Sequence, residues 1–446
     1  MSNSLTDRFL LSLYSMKAKD YKMPKECLLD YLGVTLAGGR AYHSELQQYL
    51  NNIENSNNGA SVICFGRKIE VSNAALVNGI CAHAVELDDG HRIGMPHLEA
   101  TIISALLAVA EKNSISSTDF YRGILVGYEA AIRLSCAIQP GHKLKGYHAT
   151  GTCGTIGAAI GIAVAMHFDY EQMKSAFSAA VTSAAGLLEM IEGDSQMKPF
   201  NAGRAAMAGV TAAFIGKARF KAPEDALGGH RGFLKVMTNE PEMKYLTDFT
   251  DAKPMIAGIY RKPYAACRHC HPSIEAAMNI RLKDGFNINE VESVQIDTYK
   301  LAVAGHDHKE IKGLNSAKMS IPYSFAVALY TGKAGLDEFT DQYISDNAIL
   351  GIANKVSVTD VDELTALCPK KRVAVVTVKT ATGEFKERVD YPKGEPENPL
   401  TQQELEDKFR GLAMYGGLIS AECDEIISEI WNEESDLNKI MRIVRK

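Results

Sequence analysis

Between residues 74 and 217, apolar residues recur at i, i+3 and i+4 in six segments: Ala74–His83, Glu99–Asn113, Asp119–Ile138, Gly154–Met166, Tyr170–Ile191 and Arg204–Lys217. That period is helical. Several of the segments are apolar on every side rather than striped, and a helix without a polar face must be covered by other helices. The helical pattern runs from Leu5 to about Ala252 and predicts a layered helical body with central, fully enclosed members. Within it, Gly157, Gly161, Gly186 and Gly209 are read as close contacts between helices, because an interior glycine otherwise costs about 1 kcal/mol.

Strand signals come later. Val291–Tyr299, Val356–Asp360 and Arg372–Thr380 alternate apolar and polar residues, and the last is joined to Phe385–Val389 through Ala381-Thr-Gly-Glu384, with the Thr-Gly pair as the hairpin signal. Helical stretches Pro272–Asp284 and Pro322–Tyr330 lie among them, so residues 266–395 read as a separate α+β domain. A proline-rich link, Tyr391–Pro399, returns the chain to amphipathic helix over Thr401–Arg445, which is expected to dock on the first domain. The fold class is therefore mainly α: a large, discontinuous all-helical domain (residues 1–265 and 396–446) and a smaller α+β lid domain (266–395).

With 446 residues, 46% apolar and 23% charged, the chain has the balance of a globular enzyme and ample length for a core. A net charge of −6 argues against nucleic acid as partner. The longest apolar runs fall short of the roughly 20 residues of a membrane span, and Met1–Met16 lacks the parts of a secretory signal. No membrane association and a cytoplasmic location are the expectation. Nine cysteines without repeating spacing argue against a disulfide framework.

Polar density is concentrated in four places. Residues 83–97 carry three histidines (His83, His91, His97) and three acids (Glu86, Asp88, Asp89) just before an apolar helix. Gly146-Tyr-His148-Ala-Thr150-Gly-Thr152-Cys-Gly154 opens another helix, whose unpaired N–H groups and positive dipole end suit a carboxylate. His148 there is either a group that protonates substrate or one satisfying a neighbouring carbonyl, in which case Thr150 or Thr152 is only a cap. Met197-Lys198-Pro-Phe-Asn-Ala-Gly-Arg204-Ala-Ala206 opens a third helix, and Lys262-Pro-Tyr-Ala-Ala-Cys267-Arg-His269-Cys270-His271 precedes a fourth. The cysteines and histidines of this last stretch look like half of a zinc site, but no second Cys/His pair lies at a matching distance, and Glu86–His97 fits neither a His-Glu-x-x-His nor a calcium-loop pattern. No metal and no cofactor are expected.

These four motifs, in this order, resemble the MmgE/PrpD family of 2-methylcitrate dehydratases, cis-aconitate decarboxylases and iminodisuccinate epimerases. The resemblance implies a dimer formed by the helical domain, with a metal-free site between that domain and the lid. Carried over residue by residue, it implies Glu86, Asp89, His97, His148, Lys198, Lys262 and His271 as catalytic residues. Asp88, His91, Arg204, Cys267 and Tyr323, the last within Ser320-Ile-Pro-Tyr323-Ser324, are implied as substrate contacts. Lys198 and Lys262 would neutralise two carboxylates of a small acid, with partial burial lowering either pKa. The chain departs from the family pattern at Gly90, where a threonine is usual, at Ala265, where a proline is usual, and at Cys267, where decarboxylase-like relatives have histidine.

The expected function is a cofactor-free lyase on a small di- or tricarboxylate, foremost a 2-methylcitrate-like dehydratase. Itaconate-forming decarboxylation of cis-aconitate is the alternative, followed by an epimerase of the iminodisuccinate type. A carboxylate-binding helical scaffold without catalysis is the reading from another class.

Overall fold

The computed structural model describes residues 4–17, 20–191, 195–250 and 253–446. Ala252, at the expected end of the helical run, and Met1, at the start of the N-terminal segment, lie outside them. Two compact units are present. The first holds the chain up to Met190, Met197–Ile259 and Thr401–Lys446; the second holds Tyr260–Leu400 with a short piece around residues 191 and 195–196. The divisions fall after Ile259 and Leu400, a few residues from the sequence-derived limits at 265 and 395.

The first unit is a stack of helices around Ala149–Ala165, every residue of which is buried. Ser117–Ile138, Glu99–Asn113, Tyr170–Ser183 and Lys198–Lys217 cover it on different sides, as an all-round apolar helix requires. Gly157 meets the Gly127 carbonyl, Gly161 the Gly123 carbonyl, and Gly209 the Ala158 methyl, each so closely that a Cβ would collide. Another such crossing joins Val71–His83 to Lys198–Lys217: a Cβ on Gly203 would lie 2.3 Å from the Leu76 carbonyl, and one on Gly79 2.8 Å from the Gly203 Cα. That approach brings the C-terminal end of one helix close to the start of the other. The C-terminal helices pack within this unit, where Lys408 of Gln402–Tyr415 bonds Asp30 at 2.5 Å and the Leu87 carbonyl at 2.8 Å.

Two local expectations are corrected here. The first unit is not helical throughout, since Ala60–Val62 and Arg67–Ile69 form a small antiparallel hairpin. The helix expected over Tyr170–Ile191 ends at Ser183; residues 184–187 are non-helical and a 3-10 turn covers Leu188–Ile191. Gly186, with φ +126°, belongs to this break and not to a helix crossing, in the positive-φ region that favours glycine.

The second unit carries a four-stranded sheet in the order Val356–Asp360, Val291–Thr298, Ala374–Thr380, Gly383–Val389. The first pair is parallel and the others antiparallel. Pairing of Thr380 with Gly383 makes Ala381-Thr382 the two-residue turn, so Gly383 opens the last strand instead of sitting in the loop. Helix His271–Arg281 packs on the last two strands, and Ile321–Thr331 packs on that helix. Among the described residues all nine cysteines are unbridged, and no helix is long and apolar enough to cross a membrane.

Candidate active site

Within the helical unit, the structure gathers Glu86, Asp88, His97, His148 and Lys198, together with His83, which the sequence reading placed in the first motif without a role. His83 is the last residue of Val71–His83 and its side chain is fully enclosed. Its Nδ1 lies 2.6 Å from the Asp88 carboxylate, and its ring stands 4.7 Å from that of His97 and 6.0 Å from that of His148. Asp88, also fully buried, reaches His97 Nδ1 at 3.2 Å. One carboxylate thus bridges two imidazoles.

His97 Nδ1 faces two acceptors, the Asp89 carbonyl at 2.7 Å and Asp88. Both require a proton on Nδ1, which leaves Nε2 as the basic nitrogen of the neutral ring. The His97 main-chain N–H donates to Thr150 Oγ1 at 3.0 Å. Thr150 is therefore a strut between two motifs and not a helix cap, and Thr152 bonds His142.

His148 occupies the N-cap position of Ala149–Ala165 without capping it through its side chain. Its N–H donates to the Gly186 carbonyl at 3.0 Å, and Asn201 Nδ2 donates to its Nδ1 at 3.4 Å. The proton of the neutral ring then sits on Nε2. Burial, reinforced by the neighbouring His83, His97 and Lys198, holds the His148 pKa well below the ordinary histidine value. This histidine is neutral at pH 7.

Lys198, the first residue of its helix, forms an ion pair with Glu86, with only 14% and 8% of the two side chains exposed. The glycine crossing described above makes that meeting possible. Glu86 itself has φ +60°, a left-handed conformation that costs a non-glycine residue of order 1 kcal/mol or more.

Other sequence candidates have different surroundings. Asp89 accepts from the Leu98 and Glu99 N–H groups at 2.9 and 3.1 Å and from the Tyr128 hydroxyl at 2.8 Å. It anchors the start of Glu99–Asn113, and burial raises its pKa to about 6. Arg204 donates to the carbonyls of Ser183, Gly151 and Ala185, so its guanidinium pins the helix break to the His148 turn. His91 lies against Cys136, 3.6 Å from its sulfur, and accepts from the Gly94 N–H. Glu99, which the sequence reading passed over, is fully buried, and burial together with the charges of Asp30 and Asp89 raises its pKa well above the usual range.

In the second unit Lys262 is buried. His271 is completely buried at the start of His271–Arg281, with Nε2 3.1 Å from the Ala266 carbonyl and Tyr264 edge-on to its ring. Tyr323 is enclosed and its hydroxyl donates to the Glu338 carbonyl at 3.4 Å; burial raises its pKa. Cys267 is half-buried and lies close to His306, a residue far outside the motif that drew attention to it.

Comparison with known proteins agrees with the motif order. The MmgE/PrpD N-terminal domain matches residues 11–246 and the MmgE/PrpD C-terminal domain residues 264–433. The chain belongs to the MmgE/PrpD family. Members of this family are lyases or related enzymes. A cis-aconitate decarboxylase-like protein of Aspergillus oryzae is 26% identical over 417 residues, covering 87% of this chain and 85% of the relative. The human cis-aconitate decarboxylase is 23% identical over 93% of this chain and 88% of its own, and the mouse protein is 23% identical over 93% and 87%.

Proposed function

We propose that this MmgE/PrpD protein is a lyase that acts on a small di- or tricarboxylate by proton transfer at two histidines of opposite tautomer, dehydrating a 2-methylcitrate-like hydroxy acid. The observation that carries the reading is the pairing of His97, protonated on Nδ1 against Asp88 and the Asp89 carbonyl, with a neutral His148 that accepts from Asn201 on Nδ1. The first presents a basic Nε2, and the second an Nε2–H donor. Loss of water next to a carboxylate needs both: a base to take the C–H proton and an acid to accompany the departing hydroxyl. His97 Nε2 takes the C–H proton, the electrons form the alkene as the C–O bond breaks, His148 Nε2–H hydrogen-bonds the departing hydroxyl, and the proton held on His97 neutralises it, so substrate gives alkene plus water and both rings end neutral.

Charge accumulates beside a carboxylate during that step, and a cation fixed in advance stabilises it at little reorganisation cost. Lys198 is such a cation. Its ammonium has three N–H donors, of which the Glu86 contact uses one, so a substrate carboxylate can be held while Glu86 keeps the side chain in place. His83 orients the base by sharing Asp88 with it.

Decarboxylation is a second reading, favoured by the relatives named as cis-aconitate decarboxylases. In that case the carbon–carbon bond breaks to release CO2, the same Nε2–H protonates the carbanion, and the ring regains its proton from solvent, so the net reaction takes up one proton. Incubating the purified chain with 2-methylcitrate and with cis-aconitate, while following alkene absorbance and evolved CO2, separates the two. New alkene without CO2 supports dehydration and CO2 release supports the second reading. Binding of both acids with neither product would sink the lyase assignment.

A further inference from the structure

The second unit contains a cluster that the proton chemistry above does not use. The ligand atoms of Cys267, His269 and His306 lie within 4.8 Å of one another. All three residues are partly exposed. Cys267 Sγ is 3.9 Å from His306 Nε2, and the rings of His269 and His306 stack at 5.1 Å. We propose that Cys267, His269 and His306 form a binding site for a zinc-like divalent transition-metal ion.

The spacing suits that ion. Tetrahedral zinc with a thiolate bond of 2.3 Å and imidazole bonds of 2.0–2.1 Å places its sulfur and nitrogen ligands about 3.6 Å apart, a few tenths of an ångström from the separation of Cys267 and His306. A set of one thiolate and two imidazoles is also chemically selective, since soft sulfur and borderline nitrogen favour zinc over magnesium or calcium. Three protein ligands and partial exposure leave the fourth position to water.

The outer contacts are those a metal-binding histidine needs. His306 Nδ1 donates to the Met319 carbonyl at 2.9 Å, which directs Nε2 toward Cys267. The His306 main chain is held on both sides, its N–H donating to Val303 and its carbonyl accepting from Ile321, after a turn at Gly305 with φ +85°. His269 Nδ1 lies 2.6 Å from the Tyr299 hydroxyl. With Nδ1 engaged by the phenol, Nε2 is the ligating atom of His269. Cys267 is fixed by its N–H donating to the Lys318 carbonyl. The intervening Arg268 is neutralised by an ion pair with Glu395. On binding, the thiol proton leaves to solvent and the thiolate takes its place on the metal.

The helical unit has a second group with suitable ligands, His83, Asp88 and His97, so the experiment must tell the two apart. The full chain, stripped with chelator and desalted, is titrated with zinc chloride and assayed by elemental analysis, and separately loaded with cobalt(II) for absorption spectroscopy. One zinc per chain is expected, retained in His97→Ala and lost in Cys267→Ser and His306→Ala. The cobalt form should show a thiolate-to-cobalt absorption that Cys267→Ser abolishes. Should either variant unfold, His269→Gln gives the same readout at a side chain that is partly exposed. Zinc retained by a folded Cys267→Ser or His306→Ala chain, zinc lost only in His97→Ala, or no zinc bound by the wild type overturns the assignment.

Discussion

The two histidine groups of this protein are made of similar parts and are set for different work. In the helical unit, His83 and His97 share a fully buried carboxylate, and the nearby His148 is held neutral by burial and by adjacent positive groups. In the α+β unit, His269 and His306 stand beside a thiol, partly open to solvent and backed by a phenol and a carbonyl. Enclosure by long helices fixes tautomers and suppresses charge, which suits proton transfer. A half-open loop with sulfur suits an ion that needs softness and a free coordination position. The ligand inventory alone does not separate the two; burial and the identity of the partner do.

The largest effect that would break this contrast lies at His148. His148→Gln should lower kcat by about 10²–10⁴-fold, the usual contribution of an acid or base group, with little change in Tm. An unchanged kcat would leave the buried group without a catalytic advantage over the exposed one. Next in size is Lys198→Ala. Removing one partner of a desolvated charge pair costs about 2–5 kcal/mol, so kcat/KM should fall at least about tenfold. Lys198→Arg should restore only part, because the guanidinium keeps the charge but not the geometry. Normal turnover by the alanine variant would remove the charge clamp from the mechanism.

The pH dependence of stability sharpens the comparison at smaller scale. An unfolded histidine titrates near 6.5, whereas His148 stays neutral well below that in the fold. As pH falls below about 6.5, the unfolded chain binds a proton that the folded chain refuses, so stability declines toward acid, by at most about 1.4 kcal/mol per pH unit for this one group. His148→Gln should flatten that decline in thermal unfolding followed from pH 7 to 5. His142, lowered to about 4 by burial, leaves a residual slope of the same sign. Asp89, raised to about 6, acts oppositely in both proteins and cancels in the difference. An identical pH profile for variant and wild type would show that His148 is not held neutral by the fold. The smallest effect is expected at Tyr323→Phe: its hydroxyl makes one long bond to a carbonyl, and loss of such a bond costs about 0.5–1.5 kcal/mol, measurable as a slightly lower urea midpoint with the slope unchanged.

Long periodic elements are legible in the sequence itself. Glu99–Asn113 and Val356–Asp360 have the limits their residue patterns suggest, because each carries many residues voting for one period. The helix end at Ser183 is not, since Ala184, Ala185 and Leu187 are good helix formers and the break is favoured by bonds to this stretch from residues distant in sequence, Arg204, Asn201 and His148 among them. Motif matching found Lys198 and Glu86 separately but could not pair residues 112 positions apart. His306 escaped for the same reason: it lies 39 residues beyond Cys267, and a search for a neighbouring Cys/His pair does not reach it. His271 drew attention by preceding Pro272, a sign of a helix start that says nothing about exposure, and its ring is packed away while His269 is not.

The break after Ser183 also has a temporal consequence. The His148 N–H is tied to Gly186, the Leu188 N–H is tied to Gly146, and Tyr147 bridges Leu187, so a short antiparallel tether grips the main chain on both sides of the imidazole. A helix such as Ala149–Ala165, enclosed on all sides, opens only when much of the domain opens, whereas a two-bond tether can open locally at far lower free energy. The amide protons of His148 and Leu188 should therefore exchange with deuterium together, and ahead of those in the helix that His148 begins. The lifetime of the histidine's orientation is then governed by a stretch of chain that is not itself part of the chemistry.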